Sequence, residues 1–275
     1  MLRQLRLEES LFRANAENWA IVNDGAPRTA IVLGISGKPH RLIDVAAAHR
    51  DDLLVIKRFS GGGTVVVDAN TQLVSLVMNA EAVAPTPLFP HPLMRWTESL
   101  YKGMDTCDEN AGVFRDVPNW RLHQNDYVVE VSDVPSVDER DAKKILKVGG
   151  NAQSISKTRF VHHTSFLWDF DEENMSRYLA VPEKQPAYRE NRPHGAFLTP
   201  LSRWVRDRNL MRDRLPGALR ALGLVVEEAS VADAEAAARA GSSENSNSHR
   251  STAVVDLEKA LTMDKDARAP TVPDG

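Results

Sequence analysis

Hydrophobic positions along the chain follow both helical and extended spacing, and they predict a domain of short strands with few helices. Leu7, Leu11 and Phe12 share one side of a helix predicted over residues 4–15. Two further helices are predicted at residues 92–104 and 172–180. Leu201 and Met211 lie on one face of a last predicted helix, together with Trp204 and Val205.

Extended segments dominate the first two thirds of the chain. The predicted strands cover residues 19–23, 29–35, 53–57, 64–68, 73–78, 127–131, 147–155 and 159–170. Many of them have hairpin spacing, which favours an α+β domain with a mixed, largely antiparallel sheet and flanking helices over a doubly wound parallel sheet. Residues 182–200 are proline-rich and are predicted to be mostly irregular.

The C-terminal part differs in composition from the rest. From about Ala236 the chain is rich in Ala, Ser, Asn, Asp and Gly, and such a segment buries too little apolar surface to offset its ordering entropy. We therefore predict a domain over residues 1–215, a short helical extension over 216–235 and a mostly disordered tail over 236–275. We expect the tail to be dispensable for folding.

Composition and charge exclude several classes of function. The 275 residues are 42% hydrophobic and 26% charged with a formal net charge of -4, which argues against a nucleic-acid partner. No apolar run approaches the ~20 residues that span a bilayer, so no membrane partner is expected. Cys107 is the single cysteine, which rules out an intramolecular disulfide. The N-terminal pattern has no signal-peptide character, so we expect a cytoplasmic location, with a mitochondrial one left open.

A glycine-rich run between two predicted strands is the strongest local signal. It reads Lys57-Arg58-Phe59-Ser60-Gly61-Gly62-Gly63-Thr64. The glycines allow backbone conformations that other residues avoid, so successive N–H groups can point into one concavity and bind an anion. Arg58 adds a permanent cation suited to phosphate or carboxylate. The alternative interpretation is a flexible hairpin turn beside a surface arginine.

A second run places a lysine beside small residues at a strand edge. Lys147 precedes Gly149 and Gly150, which allow close approach of another backbone. A lysine there can hold a carboxylate against a phosphorus atom and neutralise negative charge in the transition state. The alternative is an ordinary solvated lysine.

Two polar pairs complete the candidates. His162 and His163 are neighbours on a strand and point to opposite faces, so they do not suit one metal ion. We predict that one is packed and hydrogen-bonded while the other faces the cleft. Asn125 and Asp126 precede a strand, where they fit simple turn chemistry, while Asp126 also suits Mg²⁺ or the orientation of a cation.

Taken together and in this order, these segments resemble the lipoate–protein ligase A, lipoyl/octanoyl transferase and biotin ligase superfamily. The matching segments are residues 5–13, 58–63, 125–127, 147–153 and 162–164. The resemblance covers residues 4–205. The chain departs from the family pattern at Val67 and at Thr164, where the family often has histidine and glycine respectively.

The resemblance implies a catalytic domain related to class II aminoacyl-tRNA synthetases and biotin synthetase. It implies that lipoate or octanoate attacks the α-phosphate of ATP to give an acyl-adenylate, whose acyl group passes to a lysine of an acceptor protein. ATP and Mg²⁺ are the implied cofactors, and lipoate is the implied substrate. The implied acceptor is a lipoyl-domain protein of the 2-oxoacid dehydrogenase E2 or glycine cleavage H protein type.

The resemblance also assigns roles to residues. Lys147 is implied to be catalytic, and Asp126 is an implied Mg²⁺ ligand. The implied substrate- and adenylate-binding residues are Arg58, Ser60, Gly61, Gly62, Gly63, Thr64, Asn125, Asp126, Gly149, Gly150, Asn151, Ala152 and His163.

Three rival functions remain open. Transferases of this superfamily use a cysteine nucleophile, but Phe114 occupies the position of that cysteine, and the acids beside Cys107 disfavour its thiolate. We therefore favour a ligase over a transferase without its own adenylation step. The second rival is a biotin–protein ligase, and the third is a non-catalytic ligand-binding homologue.

Overall fold

A computed structural model of the chain describes residues 1–14, 16–103, 111–131, 144–181, 185–240 and 251–268. Cys107 and the loop predicted before residue 144 lie outside the described residues. No helix in the described part is long and apolar enough to cross a membrane.

The strands of the described residues form two sheets. They are β1 (Trp19–Asn23), β2 (Ala30–Leu33), β3 (Leu54–Lys57), β4 (Val65–Val67), β5 (Thr71–Asn79), β6 (Trp120–His123), β7 (Asp126–Val131), β8 (Lys144–Ile155), β9 (Arg159–Leu167) and β10 (Ala253–Val254). The α-helices are α1 (Leu2–Ala14), α2 (Pro39–Leu42), α3 (Val45–Arg50), α4 (Pro90–Lys102), α5 (Glu172–Tyr178), α6 (His194–Phe197), α7 (Leu210–Ala221), α8 (Val231–Ala240) and α9 (Leu257–Arg268). Short 3-10 helices lie at Ala80–Val83, Ala187–Arg189 and Leu201–Arg203.

The larger sheet has six antiparallel strands in the order β1-β5-β9-β8-β7-β6. Its central pair, β5 and β9, is in register from Thr71 opposite Leu167 to Asn79 opposite Arg159. Both strands are buried along nearly their whole length, which explains their continuous apolar runs. The prediction of a mixed, largely antiparallel α+β fold is confirmed.

The smaller sheet has the order β10-β3-β2-β4 and contains a parallel pair. β2 runs parallel to β3 and antiparallel to β4, so β2 separates the two strands that the glycine run connects. The interpretation of that run as a hairpin turn is therefore wrong. The connection has to cross the end of β2, and this crossing carries the loop over the edge of the small sheet.

An aromatic cluster fills the space between the large sheet and α4. Tyr101 of α4 makes edge contacts with Tyr127 and Phe166, at ring-centroid distances of 5.2 and 4.9 Å. The helix begins at Pro90, where the missing N–H costs nothing, and ends at Gly103, whose φ of 82° closes it. One face of the large sheet thus packs on this core, and the opposite face packs partly on α1.

The last predicted helix is wrong in position. Leu201 begins a 3-10 helix, and α7 starts only at Leu210. Leu201, Val205 and Met211 are nevertheless buried in the same cluster. Their common apolar spacing therefore reflects a shared core, reached by two elements rather than one continuous helix. The predicted irregular stretch 182–200 also contains short helical turns in its described part.

The C-terminal segment differs from the predicted disordered tail wherever the structure describes it. β10 pairs with β3, and the Val255 N–H donates to the Val55 carbonyl at 2.8 Å. Ala260 is buried beside α3 in a cluster that also includes Leu257 and Leu261. Residues 251–263 therefore add a strand and an apolar helix face to the small sheet.

This packing predicts that the segment contributes to stability. We expect the double change Leu257→Ala and Leu261→Ala to lower the free energy of unfolding by about 2–4 kcal/mol, because large-to-small changes in packed sites carry costs of that order. Chemical denaturation of the full chain measures the effect, and truncation after residue 250 should cost at least as much.

The matched control is the double change Lys259→Ala and Thr262→Ala on the exposed face of the same helix. We expect it to alter stability by less than about 1 kcal/mol. Equal effects of the two double variants, or a truncated chain as stable as the full one, would show that the tail is dispensable.

Candidate functional site

A cavity of about 850 Å³ lies between the two sheets. Val32 and Val65 line it from the small sheet, while Ala152 and Ser165 line it from the large one. Most of the predicted site residues also line it: Arg58, Gly61, Gly62, Gly63, Thr64, Asn125, Asp126, Lys147, Gly150, Asn151, Ala152 and His163. Segments separated by about a hundred residues in sequence thus meet at one place.

Two predicted residues do not line this cavity. Ser60 is buried behind the loop, where its carbonyl accepts a hydrogen bond from the Ile35 N–H at 3.0 Å. Gly149 lines a smaller adjoining cavity of about 90 Å³ and packs against the ring of Phe166, which comes so close that a Cβ would lie 2.8 Å from it. Both residues therefore support the site rather than face its main space.

The loop formed by residues 58–64, here called the glycine loop, is hydrogen-bonded to the large sheet. The Gly61 N–H donates to the Gln153 carbonyl of β8 at 2.8 Å. Gly62 has a φ of 111°, and a Cβ there would meet the Asn151 carbonyl at 2.8 Å. The loop can lie this close to β8 only because the residue has no side chain.

Arg58 holds the loop in shape. The side chain is 3% exposed, and its guanidinium donates to the carbonyls of Gly61 at 3.1 Å and Gly63 at 2.8 Å. Burial lowers the pKa of Arg58 to about 10, an effect that the negative charge of Glu8 opposes. The prediction that Arg58 grips a ligand phosphate directly does not fit this arrangement. One terminal nitrogen bonds both loop carbonyls, the other lies 3.4 Å from the Val32 carbonyl, and Nε is buried with no hydrogen-bond partner among the described residues.

Lys147 enters the cavity paired with a carboxylate. Its ammonium lies 2.7 Å from Asp126 Oδ1, and the Tyr188 hydroxyl donates to Asp126 Oδ2 at 2.9 Å. Burial is the largest cause of a raised pKa at Tyr188, and the nearby Asp126 adds to it, so the phenol stays protonated and able to donate. Lys147 thus has a preset position from which it can turn to an incoming anion.

A protein-based Mg²⁺ site does not fit these residues. Both oxygens of Asp126 already accept from Lys147 and Tyr188, and Asp126 is the sole carboxylate among the described residues lining the main cavity. No group of three potential metal-binding side chains occurs in the described part of the chain. The predicted role of Asp126 as a metal ligand is replaced by one in orienting the lysine cation, which the sequence had left open.

The two histidines occupy opposite faces of β9, as predicted. His162 is fully buried, with Nδ1 accepting from Gln153 Nε2 at 2.8 Å and Nε2 lying 3.1 Å from Asn151 Oδ1. Burial lowers the pKa of His162 to about 3, so the ring stays neutral. His163 faces the cavity and contacts Glu8 and Ser75 on its other side.

Residues 185–197 contribute a rim to the cavity that the sequence analysis did not predict. Arg189 and His194 both line the cavity, and Phe197 packs under the Arg189 guanidinium at 4.9 Å from its ring centroid. Burial, with the charges of Arg189 and Lys147, lowers the pKa of His194 to about 4. The high proline content of this stretch predicted irregular structure and gave no indication that its basic residues would line the cavity.

The lining of the cavity includes both cationic and apolar side chains. Lys147 and Arg189 favour an anion, while Leu5, Val32 and Met94 supply apolar surface together with other aliphatic side chains. Such a site suits an amphipathic ligand that has a chain at one end and a carboxylate or phosphate at the other.

Comparison with known proteins decides the family. The model of the lipoyl protein ligase A/B catalytic domain matches residues 1–214. The chain belongs to this family. A relative from Plasmodium falciparum (isolate 3D7), named inactive lipoate–protein ligase 2, is 30% identical over 245 residues. That match covers 75% of this chain and 62% of the relative, so the chain spans less than two thirds of the relative's length.

Solved structures of family members share the fold. A bipartite lipoate–protein ligase of Thermoplasma acidophilum, studied with its E2 lipoyl domain, superposes with a TM-score of 0.63 at 16% identity, covering 87% of this chain and 86% of its own. Lipoate–protein ligase A bound with ATP gives 0.59 at 17% identity, covering 87% and 88%. Another T. acidophilum structure, with bound lipoic acid, gives 0.59 at 16% identity, with coverage of 87% and 88%. The predicted family and fold class are confirmed.

The close approach of the loop to β8 predicts a difference between adjacent glycines. Gly62→Ala places a Cβ 2.7 Å from an Arg58 nitrogen at a φ of 111°, and we expect a loss of about 1–3 kcal/mol in stability. A Cβ at Gly63 meets nothing within 4 Å, so Gly63→Ala should change stability by less than about 0.5 kcal/mol. Thermal denaturation compares them; equal losses would contradict the loop geometry.

The buried histidines predict acid sensitivity. The folded protein holds the pKa of His194 at about 4 and that of His162 at about 3, both below the ordinary 6.5, so the unfolded chain binds protons first as pH falls. Stability should therefore decrease from about pH 6.5 towards pH 4. His194→Gln should make this decrease shallower in thermal denaturation; an unchanged slope would contradict the assignment.

Proposed function

We propose that this protein is a lipoate–protein ligase, which activates lipoate or octanoate with ATP and transfers the acyl group to a lysine of a lipoyl-domain acceptor. The acceptor would be of the 2-oxoacid dehydrogenase E2 or glycine cleavage H protein type. The observation that carries the proposal is the meeting of Lys147 and the glycine loop in one cavity that also has an apolar part. The pairing of a T. acidophilum ligase with its E2 lipoyl domain supports the acceptor class.

The first step joins two anions that repel each other. A carboxylate oxygen of the acid attacks the α-phosphorus of ATP, the bond to the bridging oxygen breaks, and pyrophosphate leaves. Lys147 can exchange Asp126 for the incoming oxygens, which neutralises charge as it builds up in the transition state. The rim residues Arg189 and His194 lie beside it in the same cavity.

We do not propose that Asp126 binds the Mg²⁺ that accompanies ATP. Mg²⁺ commonly binds nucleotide phosphates while keeping several waters, so it needs no cage of protein ligands. The protein's part in this proposal is to bind and orient the two anions with its own cations and backbone N–H groups.

A non-catalytic ligand-binding protein is the second candidate. The P. falciparum relative carries the word inactive in its name, and Lys147 is neutralised by Asp126 at 2.7 Å in this structure. If that ion pair persisted with a ligand in the cavity, the lysine could not stabilise a transition state. Ligand binding without turnover would then be the expected behaviour.

The two candidates differ in ATP–pyrophosphate exchange. We expect the protein to exchange label with lipoate and octanoate but not with biotin, and then to modify an isolated E2 lipoyl domain. Exchange with biotin alone would establish a biotin–protein ligase, while transfer from a carrier without exchange would establish a transferase. Tight lipoate binding without exchange or transfer would support the non-catalytic candidate.

Lys147→Ala should reduce exchange with lipoate by at least about 10²-fold, the order of effect seen when a transition-state electrostatic partner is removed. The control is Lys157→Ala, which changes an exposed lysine in the turn between β8 and β9 and should retain exchange. Circular dichroism verifies that both variants fold. Substantial exchange by folded Lys147→Ala would refute its catalytic role.

A further inference from the structure

A buried carboxylate lies directly behind the cavity-facing histidine. Glu8 of α1 is 1% exposed, and both of its oxygens lie 3.1 Å from His163 Nδ1. The Ser75 hydroxyl donates to Glu8 Oε1 at 2.6 Å, and Gln4 Nε2 donates to the same oxygen at 2.9 Å. The α1 helix thus places a carboxylate behind the ring of His163. The helical pattern of α1 does not by itself suggest this role for Glu8.

The contacts of Glu8 fix its ionisation. Burial would raise the pKa of Glu8, but attraction to the protonated form of His163 and hydrogen bonds from His163, Ser75 and Gln4 outweigh it, so the pKa is lowered. The buried guanidinium of Arg58 also interacts with this charge. Glu8 is therefore an anion that can only accept hydrogen bonds.

The ionised carboxylate in turn fixes the tautomer of His163. Ser75 Oγ also lies 2.9 Å from Nδ1, but its proton is donated to Glu8. Because Glu8 can only accept, Nδ1 of a neutral His163 must carry a proton. The lone pair is then on Nε2. Within the described residues Nε2 has no hydrogen-bond partner, and the ring lines the main cavity. A nitrogen with a lone pair is thus available at the wall of the cavity.

We propose that His163 is the general base of acyl transfer, accepting a proton from the acceptor lysine at Nε2, and that Glu8 is the residue that positions it. This rests on the proposed ligase function and adds a residue for its second step. The arrangement follows the same physical logic as a carboxylate–histidine pair that activates a nucleophile: the carboxylate holds the ring in one tautomer and stabilises the cation that forms.

The chemistry requires such a base. A lysine side chain has an ordinary pKa of about 10.4, so near neutral pH its nitrogen carries three protons and has no free electron pair. One proton moves to His163 Nε2, and the freed pair attacks the acyl carbon. The C–N bond forms as the C–O bond to phosphate breaks, AMP leaves with that electron pair, and the second proton passes to the departing phosphate or to solvent.

Two nucleophiles of different basicity test this role. Chemically prepared lipoyl-adenylate is given to wild type and to His163→Gln, with either an isolated E2 lipoyl domain or hydroxylamine as acceptor. Hydroxylamine is already unprotonated at neutral pH and needs no base to expose its electron pair. We expect His163→Gln to lower transfer to the lipoyl domain by about 10²–10⁴-fold, the usual contribution of a general base, with hydroxamate formation changed by less than about threefold.

The ratio of the two enzyme-dependent rates is the readout, because both use the same folded molecules and an unfolded fraction cancels. Glu8→Gln should lower this ratio in the same direction, since an amide stabilises the imidazolium less than a carboxylate does. The control His49→Gln alters an exposed histidine of α3 and should leave the ratio unchanged.

Each outcome separates the two hypotheses. A ratio that falls only in the His163 and Glu8 variants supports the general base. Equal losses with both nucleophiles would mean that His163 binds the adenylate, and no loss would mean that it is not needed; either overturns the assignment while leaving the ligase proposal intact. Failure of wild type to use the adenylate with either acceptor would overturn the ligase proposal itself.

Discussion

The contact on which the site depends is the buried guanidinium of Arg58 inside its own loop. By donating to the carbonyls of Gly61 and Gly63, it bridges the two ends of the glycine run and holds that run in an arc. Hydrogen bonds from a charged donor are stronger than those between neutral groups, so these two bonds help to hold the loop against the large sheet. The loop is then close enough for the Gly61 N–H to bond to Gln153, which joins the two sheets at the cavity.

The charges of the cavity are arranged in pairs. Lys147 is paired with Asp126, and Glu8 interacts with the buried guanidinium of Arg58 while it accepts a hydrogen bond from His163. A buried charge without a partner would be expensive, so such pairing keeps the site stable before a ligand arrives. It also means that an anionic ligand competes with a carboxylate already present, which favours ligands that offer more than one charged oxygen.

The C-terminal segment forms hydrogen bonds with elements of the family domain. The family model matches residues 1–214, yet Thr252 accepts from the Phe59 N–H at 3.2 Å and donates its own N–H to Glu9 at 2.7 Å. A residue outside the matched region is therefore bonded to the glycine loop and to α1 at once. Deleting it would affect two elements that build the cavity.

The sequence alone determined the fold class, the family and most of the residues at the cavity, because strand periodicity and glycine-rich motifs are local properties of the chain. Tertiary structure alone decided three features: the strand order β3-β2-β4, the hydrogen bonds of Arg58 to its own loop, and the strand after residue 250. Each of these features depends on residues that are distant in sequence. Whether a donor can bind a ligand depends on whether an acceptor from another part of the chain already lies beside it. For the same reason Glu8, an ordinary helix residue by its pattern, acquires its role only when β5 and β9 bring Ser75 and His163 beside it.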